Sequence, residues 1–294
     1  MQKIIDIYKS RAGEPMYSFE FFPPKDEAGE ESLRAALQSL AQMKPDFASV
    51  TYGAGGSAQG RTSRWVTDIQ REHAITGMAH FTCIGSSRAA VVNVLEDFKS
   101  NNIQNIMALR GDLPRDNPDY RPPVDGFRFA NELIEFIHSE YPGFCIGAAC
   151  YPEIHQEAPD AATDIENLKR KVDAGVDFLV TQLFFDNDRF LRFRDLCERQ
   201  GIRVPIIPGI MPITAWSQID RFTKMAACNI PQELQAALSV VQNEPQELRA
   251  TSLAYSIRQC RDLLREGVPG LHFYTLNKSP VTIQILTTLQ EGAL

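Results

Sequence analysis

Helices alternating with eight short strands, mostly short connections and a length of 294 residues predict a single (β/α)8 barrel. Several strands are apolar on both faces, as parallel strands covered by helices should be. Right-handed crossovers bring their C-terminal ends to one rim, where the chemistry of such a barrel belongs. No linker, low-complexity tract or repeat interrupts the pattern, so residues 1–294 read as one domain.

The first strand is Tyr17-Ser18-Phe19-Glu20-Phe21-Phe22, stopped by Pro23 and Pro24, which cannot continue a sheet ladder. Side-chain alternation puts Ser18, Glu20 and Phe22 on one face and Phe19 and Phe21 on the other. A helix follows over Glu30 to Met43, with Leu33, Ala36, Leu37 and Leu40 at helical spacing. The strand Phe47–Tyr52 runs into Gly53-Ala54-Gly55-Gly56-Ser57, and Thr62 to His73 is helical. Ala79–Ile84 is the third strand, and Arg88 to Asn101 the next helix. Ile103–Leu109 ends in Arg110-Gly111-Asp112, and a proline-bearing loop leads to a helix beginning near Gly126. Cys145–Cys150 runs into Tyr151-Pro152-Glu153. Ala161 to Ala174 is a helix, with Gly175 as its C-cap. The apolar run Phe178–Phe185 is the sixth strand and Asn187–Gln200 its helix. Val204–Ile210 is the seventh strand, two helical segments fill Thr214–Val241, and Glu247–Glu266 is another helix. Leu271–Leu276 is the eighth strand, and Val281–Leu289 closes the chain.

Composition excludes several classes. With 44% hydrophobic and 23% charged residues the chain is that of a water-soluble globular protein, and its net charge of −7 carries no nucleic-acid footprint. No stretch is apolar enough for a signal peptide or a bilayer span. Six cysteines without a CxxC pair suit reduced, buried thiols in the cytoplasm better than disulfides or zinc.

Polar residues near the strand ends mark the candidate site: Glu20, Thr51, His80 with Thr82, Arg110 with Asp112, Tyr151 with Glu153, Gln182, and Tyr274 with Asn277. Only the Pro208-Gly209 end is bare, which suits a flat group lying against the backbone. Glu20 is the central candidate. An ionised carboxylate among aromatic residues is costly to desolvate, so it demands a partner or takes up a proton; the latter suits a general acid, the former a structural ion pair. The glycines after Tyr52 could cradle a phosphate or simply turn the chain. Glu153-x-His155-x-Glu157 could hold a metal, although no second cluster supports it. Lys171 could form a Schiff base or contact phosphate. His73, His138 and His272 read as structural.

The runs SFEFFPP, SVTYGAGG, ALRGD, YPEIH, LKRKVDAG, TQLFFD, PGIMP and HFYTLN, in this order between about Glu14 and Asn277, resemble the methylenetetrahydrofolate reductase family. The resemblance implies the same barrel, non-covalent FAD, and ping-pong hydride transfer from NAD(P)H, NADH rather than NADPH, through flavin N5 to methylenetetrahydrofolate. It implies that Glu20 protonates folate N10 and that Asp112 stabilises the iminium formed on ring opening. FAD contacts are implied for Thr51, Tyr52, Ala54, His80, Arg110, Gly111, Asp112, Tyr151, His155, Ala158, Asp164, Asn167, Arg170 and Lys171. Glu20, Thr51, Asp112, Gln182, Gln218 and Phe222 would meet folate or nicotinamide. Lys278 stands where bacterial relatives carry Arg, at the folate glutamate. The family is commonly homo-oligomeric. Animal members add a domain that binds S-adenosylmethionine, and inhibition by that molecule is not expected here. A Schiff-base lyase built on Lys171, or a non-enzymatic folate- or nucleotide-binding barrel, are the rival readings.

Overall fold

The computed structural model describes residues 1–52, 59–112 and 120–292. Its elements are α1 (Ile4–Ser10), β1 (Met16–Phe21), α2 (Glu27–Ala41), β2 (Phe47–Val50), α3 (Gln59–His73), β3 (Thr76–Thr82), α4 (Arg88–Ser100) and β4 (Asn105–Leu109). They continue with α5 (Ala130–Glu140), β5 (Cys145–Cys150), α6 (Ala161–Asp173), β6 (Phe178–Thr181), α7 (Asn187–Arg199), β7 (Ile206–Ile207) and β8 (Gly209–Ile210). Last come α8 (Trp216–Ala226), α9 (Gln232–Val240), α10 (Pro245–Arg265), β9 (Gly270–Tyr274) and α11 (Pro280–Glu291). Asp26, Ser87 and Asp160 cap α2, α4 and α6, each accepting a backbone N–H bond from the first turn.

All strand pairings are parallel, in the order β7-β6-β5-β4-β3-β2-β1-β9-β8. The expected seventh strand is therefore two short segments on either side of Pro208. Proline has no N–H to give the ladder, so the stave breaks there. Its first half pairs with β6 and its second with β9, and His272 N donates to Pro208 O at 2.9 Å. Nine segments thus fill eight positions, and the barrel closes. The sixth strand is also shorter than its apolar run suggests. It ends at Thr181, and Leu183, Phe184 and Phe185 are buried in the connection that follows.

Outward side chains such as Phe19, Phe21, Val50, Phe81 and Ile106 pack against the helices in the larger core. Inside the barrel, Met16, Phe47, Met78, Met107, Cys145, Phe178 and Ile207 form an apolar floor. Helix α1, which the sequence reading omits, plugs that floor with Ile4 and Ile7. Asn105 fixes it there: Oδ1 accepts from Ile4 N at 2.8 Å, and Nδ2 donates to Gln2 O at 3.1 Å and Gly77 O at 3.2 Å. Polarity rises from that floor. In register, Ser18 lies beside His272, and Glu20 lies between Ser49 and Tyr274.

Candidate active site

Glu20, only 6% exposed, ends the inward row Met16-Ser18-Glu20 of β1. Two buried imidazoles face it. His80 Nε2 lies 3.3 Å and His272 Nε2 3.5 Å from Glu20 Oε2. Both nitrogens are off hydrogen-bond alignment, so each is left without a partner among the described residues. Ser49 Oγ is similarly orphaned. Buried polar atoms ordinarily find partners, and this concentration around one carboxylate marks a place arranged for a guest or a proton. Burial draws the pKa of His80 below its ordinary value against the opposing pull of Glu20. Tyr274 donates its hydroxyl to Thr181 O at 2.6 Å. Burial first, then the Glu20 charge, push its pKa well up. Ser18 Oγ and His272 Nδ1 are 2.8 Å apart, and Thr275 Oγ1 donates to Glu20 O at 2.6 Å.

Above Glu20 opens a cleft of about 850 Å³. Of the sequence-predicted residues, Thr51, His80, Arg110, Asp112, Tyr151, His155 and Gln182 line it with Glu20. A second lobe of about 350 Å³ is lined by Ala158, Asp164, Asn167, Arg170 and Lys171. Arg110, Tyr151 and His155 line both lobes. Gly111 holds φ +87, and an added Cβ would lie 2.9 Å from Thr82 and Ile84 side chains. Glycine there turns Arg110 and Asp112 onto the same rim. Tyr52 lies behind the wall, edge-on to Phe81 with centroids 5.7 Å apart, and burial raises its pKa to about 12.

Other expectations resolve differently. Gln218 Oε1 accepts from Thr214 N at 2.7 Å and Ala215 N at 3.1 Å, so that oxygen caps α8. Lys278 lines a separate slot beside the main cleft. Ala54 and the Gly53–Ser57 turn lie outside the described residues, as does the side chain of Phe222. The bare end at Gly209 offers no seat for a flat ligand. A Cβ there would meet Thr181 O at 2.4 Å and the Tyr274 ring at 2.6 Å, so the missing side chain makes room for Tyr274. The metal reading fails on partners. Glu153 accepts from Asn229 Nδ2 at 2.6 Å, His155 Nδ1 from Glu157 N at 3.1 Å, and Glu157 pairs with Arg110 through bonds of 2.5 and 2.6 Å. The Arg110 bond holds the Glu157 carboxyl below its usual range. Among the described residues no cluster of three metal-ligating side chains occurs.

Sequence reasoning missed Phe129, Ala130 and Asn131 in the second lobe, and Phe22, Met211 and Arg221 in the main cleft. It also set His272 aside as structural. The alternation that aims Ser18 and Glu20 inward does the same for His272 and Tyr274 on the neighbouring strand, and was the available signal.

The second lobe fits the phosphate and ribose portion of a dinucleotide. Lys171 Nζ donates to Ala149 O at 2.6 Å, and burial lowers its pKa, so an anion there would relieve a strained cation. Arg170 donates to Asn167 Oδ1 at 3.1 Å and keeps further donors, while Asn131 offers an amide.

The sequence profile described as methylenetetrahydrofolate reductase matches residues 3–290. The chain belongs to the methylenetetrahydrofolate reductase family. It is 37% identical over 277 residues to the 5,10-methylenetetrahydrofolate reductase of Escherichia coli (strain K12), covering 94% of this chain and 91% of that one. It is 38% identical over 299 residues to methylenetetrahydrofolate reductase (NADH) 1 of Arabidopsis thaliana, covering 98% of this chain. It spans 50% of that plant protein's length. Among solved structures, a Clostridium thermocellum protein described as binding two copies of 5-methyl-5,6,7,8-tetrahydrofolic acid superimposes with a TM-score of 0.64 at 14% identity. That likeness covers 97% of this chain and 96% of the other, and establishes the fold that this reductase family member shares. No helix among the described residues is long and apolar enough to cross a membrane.

Proposed function

We propose that the chain reduces 5,10-methylenetetrahydrofolate to 5-methyltetrahydrofolate with NAD(P)H, using non-covalently bound FAD. Membership of the reductase family supports the reaction. The observation that carries it is Glu20, buried at the base of a cleft large enough for two stacked rings and faced by two imidazoles. The NADH in the plant relative's name favours NADH as reductant.

Arg110, Tyr151, His155, Asp164, Asn167, Arg170 and Lys171 would hold FAD, with Thr51 and His80 at its ring end. A flavin bound there supplies hydride-carrying chemistry between NAD(P)H and the folate. The chain's own residues supply the rest. The methylene group of the substrate bridges N5 and N10 in a five-membered ring. Glu20 donates a proton to N10, the C–N10 bond breaks, and an N5 iminium results. Asp112, on the same cleft wall, offers negative charge to that cation, and hydride addition completes the methyl group. Gln182 presents an amide to a pterin edge, though in the free protein its oxygen accepts from Leu183 N at 2.9 Å. Ser18 orients His272, whose Nε2 faces Glu20.

The test is the visible spectrum of the purified protein, followed by anaerobic NADH and then methylenetetrahydrofolate. A flavin band that bleaches and returns supports both half-reactions. A colourless protein that does not take up FAD sinks the reading. The Schiff-base alternative has one observation in its favour, the burial-lowered pKa of Lys171. Lys171, however, lines the second lobe and not the cleft that holds Glu20.

A further inference from the structure

Hydrogen bonding between β1 and β9 does not stop where their backbones part. Backbone pairing ends at Glu20 beside Tyr274, and two side chains then carry the connection on. Thr275 Oγ1 donates to Glu20 O at 2.6 Å. Asn277 Oδ1 accepts from Phe22 N at 2.8 Å and its Nδ2 donates to Phe22 O at 2.9 Å, so one side-chain amide brackets both polar groups of the Phe22 backbone. The Thr275 hydroxyl in turn accepts from Asn277 N at 3.2 Å. Reaching back in this way puts Leu276 at φ +52 and Asn277 at φ +57, a left-handed pair without glycine. Asparagine tolerates that region, whereas leucine is strained there, and such strain persists where the surroundings over-determine it. What the clamp holds is Phe22, which is 39% exposed. Among the described residues it is the one exposed large apolar side chain that lines the main cleft, with Leu276 on the same wall.

We propose that Phe22 is the wall against which the benzoyl ring of the folate packs, and that Asn277 is the residue that positions it. The inference rests on the folate reading above, in which Glu20 protonates N10. That nitrogen is bonded directly to the benzoyl ring, so the ring lies one bond from the atom that Glu20 must reach. Phe22 follows Glu20 on the same face of the chain, about 7 Å farther toward the rim by the rise of two residues. Aromatic pairs settle edge-on or offset with centroids roughly 4.5–7 Å apart, so a ring attached at N10 falls within contact distance of Phe22. The nicotinamide of the reductant carries a ribose instead, whose hydroxyls Phe22 and Leu276 do not match. Bracketing the Phe22 backbone leaves its ring little freedom to swing aside, so less ordering remains to be lost when the ligand docks.

The test measures binding of 5-methyltetrahydrofolate, and of 5-methyltetrahydropterin without the benzoyl group, to the flavin-loaded protein. It compares the wild type with Phe22→Leu, Phe22→Tyr, Asn277→Gly and the double variant of Phe22→Leu with Asn277→Gly. Phe22→Leu should weaken the folate about fivefold, the usual worth of an aromatic pair beyond its area, and leave the pterin unchanged. Phe22→Tyr keeps the ring and should bind as the wild type does. Glycine suits a positive φ, so Asn277→Gly preserves the turn while removing the clamp, and should weaken the folate alone. The double variant should be no weaker than Phe22→Leu, because the clamp acts through the ring. Folate reduction should show the same losses in KM, with the pH profile of kcat unmoved. Unchanged folate affinity in Phe22→Leu overturns the proposal, and so does an equal loss for the pterin. Additive losses in the double variant overturn the positioning role of Asn277. An altered oligomeric state in Phe22→Leu with folate affinity unchanged assigns the exposed ring to a contact between copies instead. A wild type that binds neither ligand fails the folate reading and the wall together, whereas one that reduces folate yet is indifferent to Phe22→Leu fails the wall alone.

Discussion

Ser18 Oγ and His272 Nδ1 lie 2.8 Å apart on adjacent parallel strands, which leaves the other imidazole nitrogen turned toward Glu20. Register produces the pair, because Ser18 and His272 are neighbours across the β1–β9 ladder and both face inward. The hydroxyl thereby helps set the tautomer and tilt of a ring that touches the carboxylate. Ser18→Ala should slow folate reduction several-fold and move its pH profile, while reduction of the flavin by NADH stays within twofold. Stopped-flow rates of the two half-reactions across pH decide it, and an unmoved profile would reduce Ser18 to packing.

Glu20→Gln removes the proposed proton donor but keeps shape and hydrogen-bonding capacity. General acids contribute about 10²- to 10⁴-fold, so folate reduction should fall by that order. Reduction by NADH should persist. A folded variant that has lost both half-reactions would argue against the acid role.

His80 links the site to stability. Burial lowers its pKa from 6.5, so the folded protein binds fewer protons than the unfolded chain below about that pH. Stability should fall as pH drops from 6.5 toward the folded value. His80→Gln lacks this group, and the fall in its urea midpoint between pH 7.5 and 5.5 should be shallower than the wild type's. Parallel profiles would contradict the assignment.

Lys171 carries the opposite balance of function against stability. Its ammonium is buried against the Ala149 carbonyl, with the Tyr151 ring centroid 5.9 Å away. Lys171→Met should weaken FAD binding by tenfold or more, about 1.4 kcal/mol, without lowering the melting temperature of the flavin-free protein. Titration of the apoprotein with FAD checks the first part and calorimetry the second. Borohydride added with substrate should leave Lys171 unmodified in a mass spectrum; an adduct there would revive the Schiff-base reading.

Glu153 ties down one end of the cleft wall. Its side chain is 5% exposed, accepts from Asn229 N at 3.1 Å and Asn229 Nδ2 at 2.6 Å, and forms an ion pair with Arg189 Nη1 at 3.3 Å. Asn229 follows α8, which carries Arg221 into the cleft. Glu153→Gln should speed hydrogen exchange at Asn229 and along α8, raise KM for folate and leave FAD affinity unchanged. Unaltered exchange would show that the apolar packing of Ile219 and Ala226 suffices.

The barrel was legible because alternating elements and strand-end chemistry are local patterns. Glu20, Thr51, Arg110, Asp112 and Gln182 each end a strand, and the fold brings them to one cleft. His272 was not legible in that way. It stands two residues before the strand's inward-facing end, and its role depends on lying across from Ser18, a register that one chain segment cannot disclose. Gly209 misled for a similar reason, since the ring occupying its space comes from Tyr274, 65 positions away in sequence. Phe129, Ala130 and Asn131 sit at the start of α5, where no strand end draws attention. Helix α1 has only seven residues, too few for periodicity to announce it.

The stopper of Ile4 and Ile7 also governs traffic. A tube sealed at its floor has no back door among the described residues. On the proposed reading, reductant and folate would share the mouth above Glu20, and each visitor would have to depart before the next could dock. Crowding by either one should then block the other, and a large excess of folate should slow the enzyme by keeping the doorway occupied.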